Sequence, residues 1–271
     1  GNPNPVLAGS ARPGDNLFTC SIVALNPDTG KLVWAFQPSP HDVHDWDAVE
    51  TPVLFDADFG GQARRLLAQA SRNGFFFVLD RATGEHLVTA PFIDVNWASG
   101  TDARGRPVAR PDLAPRPDGA LVEPASGGGT NWLAPSFDPE TGLFYVSAHR
   151  VFSIFYLTET GKPEGWAGRD RGLWSNSTLR ALDVRTGKVA WNHELGDGES
   201  SAGILTTAGH LLFTADNEAN LLALDPATGK TLWHLNAGGD MENGPMTYEL
   251  DGRQYVVMGV DDTLYAFALP R

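Results

Sequence analysis

An all-β chain of repeated antiparallel sheets is what this sequence predicts, on three observations. The first is a motif of the form Leu-Asp-x-x-Thr-Gly-Lys-x-x-Trp, which recurs from Ala24 to Trp34, Val78 to Val88, Arg180 to Trp191 and Ala223 to Trp233. A weaker copy runs from Ser136 to Tyr145. The Thr-Gly pairs begin at 29, 83, 141, 186 and 228, at intervals of 54, 58, 45 and 42 residues. The second observation is the chemistry of the turn. Asn or Asp ends an apolar strand and bonds nearby backbone, and glycine supplies the left-handed residue that closes a short hairpin. The third is an aromatic at one place in the unit: Trp34, Trp191 and Trp233 suit a repeated packing joint between neighbouring sheets. Repeats of this length with several strands each read as the blades of a β-propeller.

The remaining elements follow the same pattern. Gly74 to Asp80 is apolar on both faces, as expected of a strand sandwiched between sheets. Gly209–Thr214 and Leu221–Leu224 form another strand pair, and Gln254–Met258 with Thr263–Ala268 close the chain. No long helix is predicted. The whole of 1–271 reads as one partial propeller domain of about four to five blades, interrupted by insertions near 100–124 and 158–174. The first insertion, rich in Pro, Arg, Asp and Gly, is expected to run over the surface. Because the chain opens on Gly1-Asn2-Pro3-Asn4-Pro5, with neither an initiator nor a signal peptide, it is expected to begin within a longer protein and to need the missing N-terminal part. An incomplete ring would leave open sheet edges.

Composition excludes several classes. Acidic residues outnumber basic ones 33 to 20, for a formal charge of -13, which argues against nucleic acid and anionic membrane as partners. No apolar run approaches the ~20 residues that span a bilayer, so no transmembrane segment is expected. Cys20 is the single cysteine, so no internal disulfide, Cys-x-x-Cys-His haem attachment or thiolate metal site can form. Its place in a β-like run reads as a buried, inert thiol. A serine hydrolase is unsupported, since no Gly-x-Ser-x-Gly elbow is present.

The densest chemistry lies in the loop Pro40-His41-Asp42-Val43-His44-Asp45-Trp46-Asp47, which carries three carboxylates and two imidazoles between strand-like segments. Alternation along an extended segment points Asp45 and Asp47 to one side. Both can face one cation, or one can bind it while the other acts as a base. The competing reading is a solvated acidic loop.

Several segments, in order, resemble those of pyrroloquinoline quinone (PQQ)-dependent alcohol dehydrogenases. They are Gly1-Asn2-Pro3, Arg12-Pro13-Gly14-Asp15-Asn16, Pro40-His41-Asp42 with Asp45, Ser71-Arg72-Asn73-Gly74 and Gly129-Thr130-Asn131-Trp132. Thr206-Thr207-Ala208-Gly209 and Tyr265-Ala266-Phe267 add to the likeness, which covers nearly the whole chain and corresponds to the C-terminal half of the enzyme. The resemblance implies an eight-bladed propeller, export to the periplasm, and oxidation of a small alcohol to an aldehyde by hydride transfer to metal-bound PQQ. It implies roles residue by residue: Asp45 as catalytic base; Arg72 and Asn131 beside the cofactor; Asn2, Asp45 and Asp47 toward a lanthanide or calcium ion. Asp47, two residues after the base, resembles the lanthanide-dependent branch. For Arg72 the bland reading is a surface residue before a glycine turn, and for Asn131 a loop amide serving its own backbone.

The departures are the family's upstream metal-ligand glutamate, its adjacent-cysteine disulfide and the tryptophan beneath the quinone, none of which is in this chain. His44 stands where methanol dehydrogenases carry Trp. With no haem domain after Arg271, electrons are expected to pass to a separate cytochrome c-type acceptor. Two other readings stand beside this one. A non-enzymatic propeller of PQQ-like repeats, an outer-membrane assembly scaffold, would keep the repeats without a reason for Asn2, Asp45 and Arg72. A quinoprotein acting on sugars shares the His-Asp-x-x-Asp stretch, but the Gly-Asn-Pro and Arg-Pro-Gly-Asp-Asn segments favour alcohols.

Overall fold

The computed structural model describes residues 1–270, and they form antiparallel sheets joined in chain order. The first sheet pairs β1 (Ile22–Leu25) with β2 (Leu32–Phe36). The second orders β3 (Val53–Phe59), β4 (Gln62–Ala70), β5 (Phe75–Asp80) and β6 (His86–Pro91) side by side. A small hairpin follows, β7 (Ala98–Thr101) with β8 (Pro107–Ala109), and then β9 (Ala120–Val122). The third sheet orders β10 (Ser136–Asp138), β11 (Leu143–Leu157), β12 (Gly168–Asp183) and β13 (Val189–Asp197), with β9 pairing on β11. The fourth is β14 (Leu205–Thr207), β15 (Leu211–Ala215), β16 (Asn220–Leu224) and β17 (Thr231–Asn236); the fifth is β18 (Met246–Leu250), β19 (Arg253–Val260) and β20 (Thr263–Phe267). Helix among the described residues is limited to two three-residue 3-10 turns, at Gly9–Ala11 and Pro111–Leu113. None is long and apolar enough to cross a membrane.

The repeated turn forms as its residues dictate. The side chains of Asn26, Asp80 and Asp225 each accept two backbone N–H groups from the next three residues. Gly30, Gly84, Gly142, Gly187 and Gly229 all take φ between +66° and +75°, a region costly for any residue with a Cβ. The aromatic joint against a hairpin glycine is present in two copies, while Trp233 meets Phe267 of β20 edge-on at 6.0 Å instead. Trp34 lies against Gly84 and donates its indole N–H to the Arg81 carbonyl at 3.1 Å. Trp191 lies against Gly229 and donates to the Pro226 carbonyl at 3.0 Å. A Cβ on Gly229 would sit 2.5 Å from the Trp191 ring, so the bare glycine also makes the joint possible.

Two sequence expectations change. Thr83, Thr186 and Thr228 lie between the last two strands of the second, third and fourth sheets, but the weak copy at Thr141 lies between the first two strands of the third sheet. It does not mark a blade of its own, and the fifth sheet turns through Asp261 and Asp262 with no Thr-Gly pair. The insertions are also less loop-like than expected. Residues 100–124 include β8 and β9, and the alternation of β9 sends Ala120 and Val122 inward, both fully buried. The second half of 158–174 is already strand β12.

The chain divides into two compact units. The first comprises 1–132, 149–175 and 184–188. Its core joins Phe36, Trp46, Phe75, Phe77, Trp97, Val122 and Phe155, with Phe36 meeting Phe77 edge-on at 5.3 Å. The predicted two-faced strand is this unit's centre, Phe75 through Leu79 being buried throughout. The second unit holds 133–148, 176–183 and the chain from 189 on. Its larger apolar cluster includes Leu143, Tyr145, Leu179, Leu195, Leu212 and Leu224, with Trp191 packed against it.

Candidate functional site

The loop from 37 to 52, between β2 and β3, is anchored before it carries any chemistry. The Gln37 amide donates to the Asp15 and Thr19 carbonyls, and the His41 backbone N–H donates to Asp15. Arg12 spreads its guanidinium over the carbonyls of Pro5, Val6 and Asp42 and the side chain of Asn16. Inside the loop, the buried Asp42 carboxylate accepts the backbone N–H groups of His44, Asp45 and Trp46 at 3.3, 2.9 and 3.1 Å. This cap holds Asp45 at φ +67°, a conformation that asparagine and aspartate tolerate best among residues with a Cβ.

The cap also sorts the side chains. His44 and Trp46 turn into the core, 4 % and 1 % exposed, and stack on each other at 4.3 Å. Trp46 donates to the Ala125 carbonyl at 2.9 Å, and the His44 Nε2–H to the Leu113 carbonyl at 3.2 Å. Burial holds the His44 imidazole neutral by lowering its pKa to about 4. Asp45 and Asp47 take the opposite direction and remain half-buried. They meet Arg72 there: its Nη2 lies 3.8 Å from Asp45 and its Nη1 3.5 Å from Asp47. Both separations are ion-pair contacts longer than a hydrogen bond, so neither carboxylate is consumed by the guanidinium. Burial pushes Asp45 up to about 6; Arg72 opposes that shift, and Asp47 and Asp170 add to it.

Arg72 lies in the turn between β4 and β5 and is itself buried, so it is not the surface residue of the bland reading. A Glu50 carboxyl oxygen accepts its backbone N–H at 2.9 Å, and Gly129 donates to its carbonyl at 2.7 Å. Its Nη2 donates to the Ser126 carbonyl. Glu50 is pushed up to about 8, chiefly by burial. Buried atoms without a hydrogen-bond partner cluster along these two loops: Asp47 Oδ1, Glu50 Oε2, Ser71 Oγ and Arg72 Nε.

Asn131 serves its own loop, its amide donating to Gly127 and its oxygen accepting the Trp132 N–H, each at 2.9 Å. Asn2 makes no hydrogen bond or ion pair with Asp45 or Asp47. Its neighbour Gly1 is tied to Cys20 at 2.9 Å, and Cys20 lies within the electrostatic reach of Asp42, Asp45 and Asp47. Cys20 is fully buried and its pKa is raised by burial, which keeps the thiol protonated and inert as expected, but it lies in a turn at φ +46° just before β1 and not in a strand. Among the described residues no three His, Cys, Asp or Glu side chains converge as a metal cluster; the loop presents two carboxylates around a guanidinium. Sequence reasoning missed Glu50, Ser126 and Asp170. Asp42 had a local signal in its place two to four residues before the N–H groups it caps, whereas Ser126 and Asp170 lie far from Arg72 along the chain.

Sheets of two to five antiparallel strands, turned by a repeated Asn/Asp-x-x-Thr-Gly and carrying a charged site on their loops, define a β-propeller of the quinoprotein type. The chain belongs to the family described as the β-propeller domain of PQQ glucose/ethanol/alcohol dehydrogenases, matching it over residues 1–96 and 174–256. A 1-butanol dehydrogenase (cytochrome c) of Thauera butanivorans is 36% identical over 264 residues, covering 91% of this chain and 38% of that protein. The quinohaemoprotein alcohol dehydrogenase structure of Comamonas testosteroni superposes with TM-score 0.86 at 34% identity, over 96% of this chain and 42% of that one. A europium-containing methanol dehydrogenase superposes with TM-score 0.76 at 32% identity, over 90% and 45% of the two chains. The chain spans less than half the length of the curated relatives it matches.

Proposed function

We propose that the protein containing this chain oxidises a small alcohol to an aldehyde, with PQQ and a metal ion as cofactors and Asp45 as the base. The observation that carries the reading is the arrangement of Asp45 and Asp47 about Arg72, on loops of a quinoprotein propeller. PQQ bound beside a metal ion supplies a hydride acceptor made electrophilic by the ion. The residues fit such a group. Asp47 Oδ1 and Arg72 Nε are buried polar atoms with no partner, and hard oxygen donors exceed the one guanidinium. Asp45, Asp47 and Asn2 would hold the metal ion, Arg72 the quinone oxygens, and Asn131 would support the cofactor through its loop. Asp45 takes the hydroxyl proton of the alcohol at a carboxylate oxygen. The Trp46 stack and the Asp42 cap keep that carboxylate aimed and limit water around it.

The test is Asp45→Asn in the full-length protein. It removes the base but keeps the shape, and turnover with an artificial dye acceptor is expected to fall about 10²–10⁴-fold. Near wild-type turnover would exclude Asp45 as base. The similarity to a europium-containing methanol dehydrogenase, together with Asp47, supports a lanthanide over calcium. A trivalent ion favours more anionic oxygen ligands, which the Asp45–Asp47 pair provides. On reconstituting metal-free protein with each ion, Asp47→Ala is expected to weaken lanthanide use more than calcium use; an unchanged preference defeats the assignment. The name of the Thauera relative supports a cytochrome c as electron acceptor. Membership of the family supports the periplasm as the compartment.

A further inference from the structure

Residues 126 and 170 lie far from Arg72 along the chain, yet they build one side of the cage around it. The loop at 125–129 does this at close range. The Ser126 carbonyl accepts from Arg72 Nη2, and Gly129 donates to the Arg72 carbonyl at 2.7 Å. Gly128, at φ +89°, lies so near that a Cβ there would sit 2.6 Å from the Arg72 Cβ.

That loop is in turn held by Asp170, three residues into β12. Its Oδ2 accepts the Ser126 hydroxyl at 2.8 Å, the Ser126 N–H at 3.4 Å and the hydroxyl of the fully buried Ser153 at 3.2 Å. The direction of the Arg72 guanidinium depends on this chain of contacts. Its ion pairs at 3.5 and 3.8 Å carry little directional preference, its Nε has no partner, and its one side-chain hydrogen bond among the described residues is to Ser126.

We propose that Asp170 is a positioning residue for Arg72: it caps Ser126, and the capped Ser126 carbonyl fixes the guanidinium beside Asp45 and Asp47. Residues 54 and 98 positions along the chain from Arg72 therefore set its geometry. The functional readout of this inference rests on the proposed function; the structural readout does not.

Two measurements on the full-length protein test it. The first is a double-mutant cycle on the urea unfolding midpoint with Asp170→Ala, Arg72→Met and the pair. Sub-additive shifts are expected, because Arg72 loses its aim once Asp170 is gone; strictly additive shifts overturn the proposal. Should Asp170→Ala fail to fold, Ser126→Ala replaces it in the cycle, since it removes the hydroxyl that Asp170 receives. The second is titration with PQQ, followed by quenching of tryptophan fluorescence. Asp170→Ala is expected to weaken binding about tenfold, while Asp170→Asn, which keeps an acceptor for Ser126, stays within about threefold. Equal weakening by both variants would mean that negative charge, and not the cap, is acting, and would overturn the proposal. If the wild-type protein itself takes up no PQQ, the proposed function fails, and the cycle alone upholds or overturns the positioning role.

Discussion

Asp225 and Asp42 perform the same local task at different depths, and the difference shows what the site is made of. Asp225 opens a Thr-Gly turn, its Oδ1 accepting the N–H groups of Ala227 and Thr228 at 2.8 and 3.3 Å in solvent. Asp42 accepts three N–H groups in a loop where it is 4 % exposed. The outer turn needs only its own few residues. The inner loop needs Arg12, Asp15 and Ala125 from elsewhere in the chain, and it uses that support to hold Asp45 at positive φ. A turn that water can satisfy needs no support from elsewhere in the chain; a turn from which water is excluded must have every polar group paired and becomes a rigid mount for charged groups.

The largest effect expected from this contrast is electrostatic and belongs to the inner loop alone. The folded pKa of Glu50, about 8, lies above its ordinary value of 4.5, so the folded state holds this proton more tightly. Its contribution is present in full below pH 4.5 and is lost as the pH rises through 8, with a slope of at most about 1.4 kcal/mol per pH unit. Unfolding in urea between pH 5 and pH 8 is expected to show this loss, and Glu50→Gln to flatten it. A Glu50→Gln profile parallel to wild type would contradict a neutral buried carboxyl.

Next comes the cap itself. Asp42→Ala leaves buried N–H groups unpaired and is expected to cost about 3 kcal/mol, whereas Asp225→Ala, whose donors reach water, costs about 1 kcal/mol. Equal losses in urea denaturation would break the comparison of depths. The smallest and sharpest test concerns the outer turns alone. Gly30 and Gly229 have nearly the same φ, +66° and +73°, but a Cβ on Gly30 meets nothing within 4 Å. Gly30→Ala is expected to cost about 1 kcal/mol of backbone strain, and Gly229→Ala about 2–3 kcal/mol, since the methyl also displaces Trp191. Matching melting temperatures for the two variants would remove the packing component.

The sequence by itself determined the all-β class, the blade repeat, the hairpin glycines and the tryptophan joint. The strands and hairpin turns depend on residues within about a dozen positions of one another, where backbone geometry and alternation decide the outcome, while the tryptophan joint, which spans 47 and 35 positions, is marked by its fixed place in the repeat. It also marked out Asp45 and Asp47 by the density of carboxylates and imidazoles in their loop, whereas Arg72 was marked only by the resemblance of Ser71-Arg72-Asn73-Gly74 to the family. Only the tertiary structure decided that the weak copy at Thr141 marks no blade, since Thr141 obeys the same turn rules as the others and differs only in which strands it joins. Tertiary structure alone also decided that Arg72 is buried between Asp45 and Asp47, that Glu50 holds its backbone, and that Asp170 reaches it through Ser126. Those contacts join residues from 22 to 54 positions apart, and burial, not any local pattern, gives them their strength: with water excluded, a charged group takes whatever partners the packed chain brings to it.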